Sequence, residues 1–113
     1  MNLYLMQGRL LPPTKGHIQE FPYENWQEEF ASLKEAGLFG VEWLVTKGCF
    51  LDNPIMINPL EIQKFPISSV CLDVLVDERI SEKSFLYNTL GIFCNRIKNT
   101  SINTVTIPLL EES

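Results

Sequence analysis

The sequence predicts an α/β fold of parallel (β/α) units within a single domain, residues 1–113. Apolar segments of strand length alternate with amphipathic segments of helix length along the chain. Three consecutive crossovers of this kind favour right-handed βαβ units and a parallel sheet. Hydrophobic residues make up 45% of the chain and charged residues 20%, which is the balance of a globular domain.

The first unit contains a strand in the apolar segment 2–10, NLYLMQGRL, and a helix in the segment 25–37, NWQEEFASLKEAG. Asn25 is a candidate N-cap, Glu28 lies three residues later as in a capping box, and Gly37 can end the helix. The apolar residues recur at the spacing of one helical face, with Trp26, Phe30 and Leu33 on it. The solvent side is expected to hold Gln27, Glu28, Lys34 and Glu35.

The later units repeat this pattern. Strands are expected at 39–46, 67–76 and 102–110, and helices at 58–65 and 81–99. The shorter helix begins with Asn58 as a candidate cap, Pro59 and Glu61. The longer one has Ser81 as a candidate cap and an apolar stripe of Phe85, Leu86, Leu90, Phe93 and Ile97.

The connection after the first strand decides between two architectures. An open nucleotide-binding sheet needs a glycine-rich phosphate loop at this point. The segment is LPPTKGHIQEFPYE, and its single glycine cannot form such a loop. The sequence therefore predicts half of a TIM-type barrel, with functional groups where the strands end.

Polar side chains stand near the ends of four successive predicted strands. We interpret the set as candidate substrate-binding residues, namely Gln7, Arg9, Glu42, Asp73 and Glu111. A guanidinium forms two parallel hydrogen bonds to carboxylate or phosphate oxygens, so Arg9 suits an anionic or hydroxyl-rich substrate. An Arg9–Glu42 salt bridge that fixes strand order is an equal alternative. Phe21 and Trp43 could form an apolar wall for a sugar, although core packing is the favoured role of Trp43.

Composition excludes several other classes. The net charge is −5 and no basic stretch stands out, so nucleic acid is not an expected partner. No apolar run approaches the roughly 20 residues of a membrane span, and the N-terminus lacks signal-peptide features, so we expect a cytoplasmic protein with no membrane partner. The odd number of cysteines, Cys49, Cys71 and Cys94, indicates reduced thiols rather than a disulfide framework or zinc site. Cys71 is expected to be a buried small apolar residue.

The motifs MQGRL, VEW, SVCLD and IPLLEES, in that order, resemble the N-terminal part of the sugar phosphate isomerase/epimerase family with the xylose isomerase-like barrel. The resemblance implies a (β/α)4 portion, residues 1–113, of a complete barrel. It also implies an enzyme that moves protons next to a carbonyl of a sugar or sugar phosphate. The complete family barrel is expected to hold a divalent metal, Mn, Mg, Co or Zn.

The chain departs from this family in length and in metal ligands. A complete barrel needs about 250 residues, and the family's metal ligands come mainly from later strands. His17 is the only histidine, and it forms no cluster with carboxylates, so we expect no metal site in this chain and no activity from it alone. The alternative function is a noncatalytic half-barrel that self-assembles or binds a partner. Unprotected edge strands predict a homo-oligomer under either reading.

Overall fold

Four parallel strands form one sheet in the order β1-β2-β3-β4 in the computed structural model, which describes residues 1–13, 20–76 and 83–109. The strands are β1 (Tyr4–Met6), β2 (Gly40–Leu44), β3 (Ile67–Cys71) and β4 (Val105–Thr106). The helices are α1 (Trp26–Glu35), α2 (Pro54–Ile57), α3 (Pro59–Ile62) and α4 (Lys83–Ile97), and a 3-10 turn, Asp73–Leu75, follows β3. The predicted α/β class with parallel units is confirmed.

The strands are shorter than predicted because the backbone turns soon after each apolar start. β1 ends at Met6, and Gly8 then adopts a φ of 95°, which redirects the chain. The strand predicted over 67–76 ends at Cys71, and the residues after it form the 3-10 turn, which buries Val74 and Leu75. Asp73 therefore follows β3 rather than lying within it.

Helix α1 ends as the sequence predicts. Gly37 has a φ of 75°, the left-handed conformation that glycine adopts most readily. The Leu38 N–H donates to the Leu33 carbonyl at 3.0 Å and the Gly37 N–H to Lys34 at 3.3 Å, which together form a Schellman motif. The expected outer residues Gln27, Glu28, Lys34 and Glu35 are all exposed.

The N-terminal caps differ from the sequence expectation. Asn25 and Asn58 occupy N-cap positions, but neither side chain makes a capping hydrogen bond. Asn53 makes one instead, accepting from the Ile55 N–H at the start of α2, a helix that the pattern did not predict. Ser81 lies outside the described residues.

The hydrophobic core lies on one face of the sheet. Among the described residues, a single buried cluster joins that face to all four helices, with Val41, Trp43, Val45, Val70 and Leu72 from the strands and their extensions, and Trp26, Leu33, Ile55, Ile62, Leu86, Phe93 and Ile97 from the helices. The helices therefore pack on the same side. Phe85, expected in the α4 stripe, is 47% exposed, because the buried face passes through its neighbour Leu86.

A close approach at the start of β2 predicts the first mutational effect. A Cβ added to Gly40 would lie 2.0 Å from the Pro66 carbonyl oxygen, whereas one added to Gly91 in α4 would have nothing within 4 Å. We expect Gly40→Ala to lower the free energy of unfolding by about 2–3 kcal/mol and Gly91→Ala to raise it by about 0.5–1 kcal/mol. Urea denaturation measures both, and a Gly40→Ala protein as stable as the wild type would contradict the packing described.

Candidate functional site

The Gln7 side chain continues the hydrogen bonding between β1 and β2 just after β1 ends. The Gln7 backbone N–H donates to the Glu42 carbonyl at 3.0 Å, which continues the parallel ladder by one residue. In a regular parallel ladder the Leu44 N–H would next meet the Gln7 backbone carbonyl. It donates instead to the Gln7 side-chain Oε1 at 2.9 Å. The side-chain amide thus holds β2 while the backbone turns away at Gly8.

The amide nitrogen of Gln7, Nε2, is a buried hydrogen-bond donor. Gln7 is fully buried, and no described residue accepts a hydrogen bond from its Nε2. Exchanging Oε1 and Nε2 by rotating the amide would bring the Nε2 donor against the Leu44 N–H donor, which is unfavourable. The orientation of the amide is therefore fixed, with Nε2 pointing away from Leu44. A buried donor without an acceptor costs about 1–3 kcal/mol. The Nε2 donor lies where β1 ends, and an oxygen of a bound molecule would reach it once the residues that bury it move aside.

The turn after Gln7 is held by Glu29 of α1. Both carboxylate oxygens of Glu29 accept from the Gly8 N–H, at 2.8 and 2.9 Å, and one also accepts from the Leu10 N–H at 3.0 Å. Glu29 is fully buried. The role of Glu29 was not predicted from the sequence, although its position between Trp26 and Leu33 on the apolar face of α1 was a usable signal.

Glu42 lies on the sheet face opposite the hydrophobic core. Its Oε2 accepts from the Ser69 hydroxyl at 2.6 Å and from the Thr106 hydroxyl at 3.4 Å, so three neighbouring strands contribute to what we call the Glu42 cluster (Glu42, Ser69, Thr106). A register shift produces this pairing. Val41 pairs with Ile67, but Glu42 pairs with Ser69, so the irregularity moves Ser69 opposite the carboxylate.

The other predicted site residues have different outcomes. Arg9 is half-buried in the turn after β1, and its salt bridge to Glu42 remains a prediction. Asp73 is half-buried in the 3-10 turn directly after β3, beside the end of that strand. Glu111 and His17 lie outside the described residues. The structure therefore brings Gln7 and Glu42 to adjacent strands.

Cys71 shares the sheet face of the Glu42 cluster, since it follows Ser69 by two residues in β3. It is buried, as predicted, and all three cysteines are free thiols. Burial, followed by the charges of Glu42 and Asp73, raises the pKa of the Cys71 thiol from 9.0 to about 11. The thiol is therefore protonated at neutral pH.

The raised pKa predicts slow alkylation of Cys71. With iodoacetamide at pH 8 we expect exposed Cys94 to be labelled first and Cys71 at least about 100-fold more slowly, because only the thiolate reacts. The Cys71 rate should increase as the pH rises toward 11. Peptide mass spectrometry of timed samples separates the two sites, and equal labelling of both in the folded protein would contradict the burial described.

A second buried amide organises the loop after β2. Asn53 accepts from the Trp43 Nε1–H at 2.9 Å and donates to the carbonyls of Leu44 at 3.0 Å and Cys49 at 3.4 Å. Trp43 is fully buried, which confirms its predicted core role. The end of β2 and the loop after it are thereby fixed to α2.

A cavity of about 490 Å³, here called the loop pocket, opens between the loops that follow β1 and β2. Its described lining includes the rings of Phe21 and Tyr23 and the polar residues Glu20, Glu24, Asn25 and Asp52. Phe21 is almost fully buried and packs against Trp43 with ring centroids 5.3 Å apart. The pocket thus has the size of a small-molecule site and lies where parallel α/β proteins bind their ligands.

Two classes of feature are absent from the described ranges. Residues 1–13, 20–76 and 83–109 contain no group of three or more His, Cys, Asp or Glu side chains placed to hold a metal ion. No helix within these ranges is both long and apolar enough to cross a membrane.

The chain was compared with models of known protein families, with curated proteins and with solved structures. None of the three comparisons finds a match.

Proposed function

We propose that this chain is the N-terminal part of a divalent-metal-dependent sugar or sugar phosphate isomerase or epimerase, and that it contributes substrate contacts at the ends of its strands. The observation that carries the proposal is the buried Gln7 Nε2 donor, for which the described residues provide no acceptor. Sugar hydroxyl and carbonyl oxygens are acceptors of the kind it needs.

The sheet supports a half-barrel as the setting for this site. Strands follow one another in sequence order without the reversal typical of doubly wound sheets. All four helices add buried residues to one cluster on one face, as the outer helices of a barrel do. The Glu42 cluster lies on the opposite face, which would be the inner face of the barrel.

The roles of the polar groups follow from their chemistry. Gln7 would donate to a substrate oxygen, and the Glu42 carboxylate, held by two hydroxyls, would accept from a substrate hydroxyl. Arg9 and Asp73 remain proposed contacts near the ends of the strands, and Glu111, outside the described residues, remains a proposed contact from the sequence alone. The metal and the acid and base groups that move the proton would come from other residues of a complete barrel.

Ketose binding tests this proposal. Titration of the ¹⁵N-labelled chain with D-fructose should give saturable amide shifts at residues 7–10, 42–44 and 69–71. Ser69→Ala removes one of the hydroxyls that hold Glu42 and should weaken binding about fivefold. Ser84→Ala, at an exposed position in α4, is the matched control and should leave the affinity unchanged. Absence of saturable shifts at these residues would overturn the proposal.

Self-assembly is a second candidate, favoured by the outer edge of β1. Leu3 and Tyr4 are exposed at the start of this strand, and the Tyr4 ring meets the exposed ring of Phe39, which precedes β2, edge to face with centroids 5.4 Å apart. Among the strands that the structure describes, β1 and β4 each have a neighbour on one side only. An uncharged, apolar edge strand of this kind favours pairing with another chain.

Sedimentation equilibrium at low micromolar concentration tests the self-assembly candidate. We expect a dimer or larger assembly that Tyr4→Lys shifts toward monomer, because a charge on the edge opposes pairing. Tyr87→Lys, at an exposed position in α4, adds the same charge elsewhere and should leave the assembly intact. A monomeric wild-type chain with cooperative unfolding would rule this candidate out.

A further inference from the structure

We infer that a second pocket, here called the aromatic pocket after Tyr23, Trp26 and Phe65 in its lining, binds a trimethylammonium group such as that of choline. It has a volume of about 380 Å³ and lies between the start of α1 and the short helices α2 and α3. Trp26 and Ile62, which also line it, belong to the hydrophobic core, so the pocket is on the sheet face opposite the Glu42 cluster. The inference goes beyond the proposed function and does not depend on it.

The aromatic rings are the first argument. The rings of Trp26 and Phe65 stand at 77° to each other with centroids 5.3 Å apart, which makes two walls nearly at a right angle. The Tyr23 ring is a third part of the lining. The face of an aromatic ring carries partial negative charge and attracts a cation within about 6 Å of its centroid, most strongly when the ring is tryptophan. Aromatic walls of this kind are how proteins enclose quaternary ammonium groups.

The two inner rings are held in place before any ligand binds. Trp26 packs against Trp43 with centroids 5.3 Å apart, and Phe65 packs against Phe30 with centroids 4.8 Å apart. Trp26 is 9% exposed, whereas Tyr23 is 51% exposed. A ligand therefore meets fixed rings in the interior of the pocket, and little conformational freedom is lost when it binds.

The rest of the lining favours a methylated ammonium group over other ligands. Against Ile57, Ile62 and the rings, the N–H donors of a primary ammonium would find few acceptors, whereas a trimethylammonium group has no N–H to satisfy. The exposed carboxylates of Asp52 and Glu61 favour a cation over a neutral group of the same shape. Glu61 also pairs with Lys64 at 3.0 Å, so its charge is partly neutralised.

Choline and two matched ligands test the inference. 3,3-Dimethylbutan-1-ol has the shape of choline without its charge, and ethanolamine has the charge without the methyl groups. Each is titrated separately into the ¹⁵N-labelled chain, and backbone shifts are followed at residues 23–26 and 55–65. We expect saturable shifts with choline, and a dissociation constant at least about fivefold weaker for either matched ligand.

Paired variants locate the binding site. Tyr23→Leu removes an exposed ring from the pocket and should weaken choline binding about three- to tenfold, with binding of 3,3-dimethylbutan-1-ol changed by less than about twofold. Tyr87→Leu removes an exposed ring from α4 and should change neither. Asp52→Asn should weaken choline binding about two- to fivefold, whereas Glu35→Gln, at the far end of α1, should leave it unchanged.

Nε-trimethyl-lysine, acetylated and amidated at its ends, distinguishes a peptide source of the group from a free small molecule. Tighter binding than choline supports the inference with a modified lysine as the ligand, and weaker binding supports it with a choline-like molecule. Equal affinities for choline and its neutral analogue, equal affinities for choline and ethanolamine, or no saturable shift in the pocket with choline would each overturn the inference. An unchanged choline affinity in Tyr23→Leu would overturn it as well.

Discussion

Asn53→Ala should lower the free energy of unfolding by about 3–4 kcal/mol, because it removes a buried side chain that serves four partners. The amide accepts from the Trp43 indole and the Ile55 N–H, and it donates to the carbonyls of Leu44 and Cys49. In the alanine variant these groups remain in a buried region without their partner. Urea denaturation followed by tryptophan fluorescence and by circular dichroism measures the change.

Asn58→Ala is the control for this result. Asn58 also precedes a proline at the start of a short helix, but it is exposed and its side chain makes no capping bond. Its substitution should change the free energy of unfolding by less than about 0.5 kcal/mol. Equal effects of the two substitutions would show that the buried amide network does not stabilise the fold as described.

Glu29→Ala should lower the free energy of unfolding by about 2–4 kcal/mol, because hydrogen bonds to a charged group are stronger than neutral ones and both donors are backbone groups. The Gly8 and Leu10 N–H groups would lose their acceptor, and the turn that places Gln7 would lose its support. Denaturation measures the stability, and backbone amide shifts at residues 7–10 report the turn.

Two substitutions sharpen this result. Glu29→Gln keeps one acceptor oxygen and should cost less than the alanine variant. Glu28→Ala removes an exposed carboxylate from the preceding position of α1 and should change the stability by less than about 0.5 kcal/mol. Unchanged shifts at residues 7–10 in Glu29→Ala would contradict the role assigned to the carboxylate.

The order and type of the main elements could be predicted from local patterns. Helix α1 has an apolar face at helical spacing and a glycine placed to end it, and both signals operate within a few residues of each other. The parallel sheet follows from the crossover connections. Such features need no knowledge of distant contacts. The exact strand ends were not predictable in the same way, because the turn at Gly8 and the 3-10 turn after β3 depend on packing against the core.

The features of the site that sequence reasoning missed depend on contacts between distant residues. Glu29 accepts a hydrogen bond from Gly8, in a turn about twenty residues earlier, and Asn53 accepts one from Trp43 in the preceding strand. The register shift that brings Ser69 to Glu42 involves two strands and leaves no mark in either segment alone. Gln7 and Glu42 were identified because polar residues in strand ends are unusual, but their partners were not.

The most direct test of the proposed site is the side-chain amide signal of Gln7. The Gln7 signal is the side-chain NH₂ pair that is present in the spectrum of the ¹⁵N-labelled wild-type protein and missing from that of Gln7→Glu. D-fructose is then added to the wild-type protein. We predict a saturable downfield shift of the Gln7 NH₂ protons, with the same dissociation constant as the backbone shifts at residues 42–44, because Nε2 gains an acceptor. Saturable fructose binding that leaves the Gln7 NH₂ signal unmoved would contradict the assignment of this amide as a substrate contact.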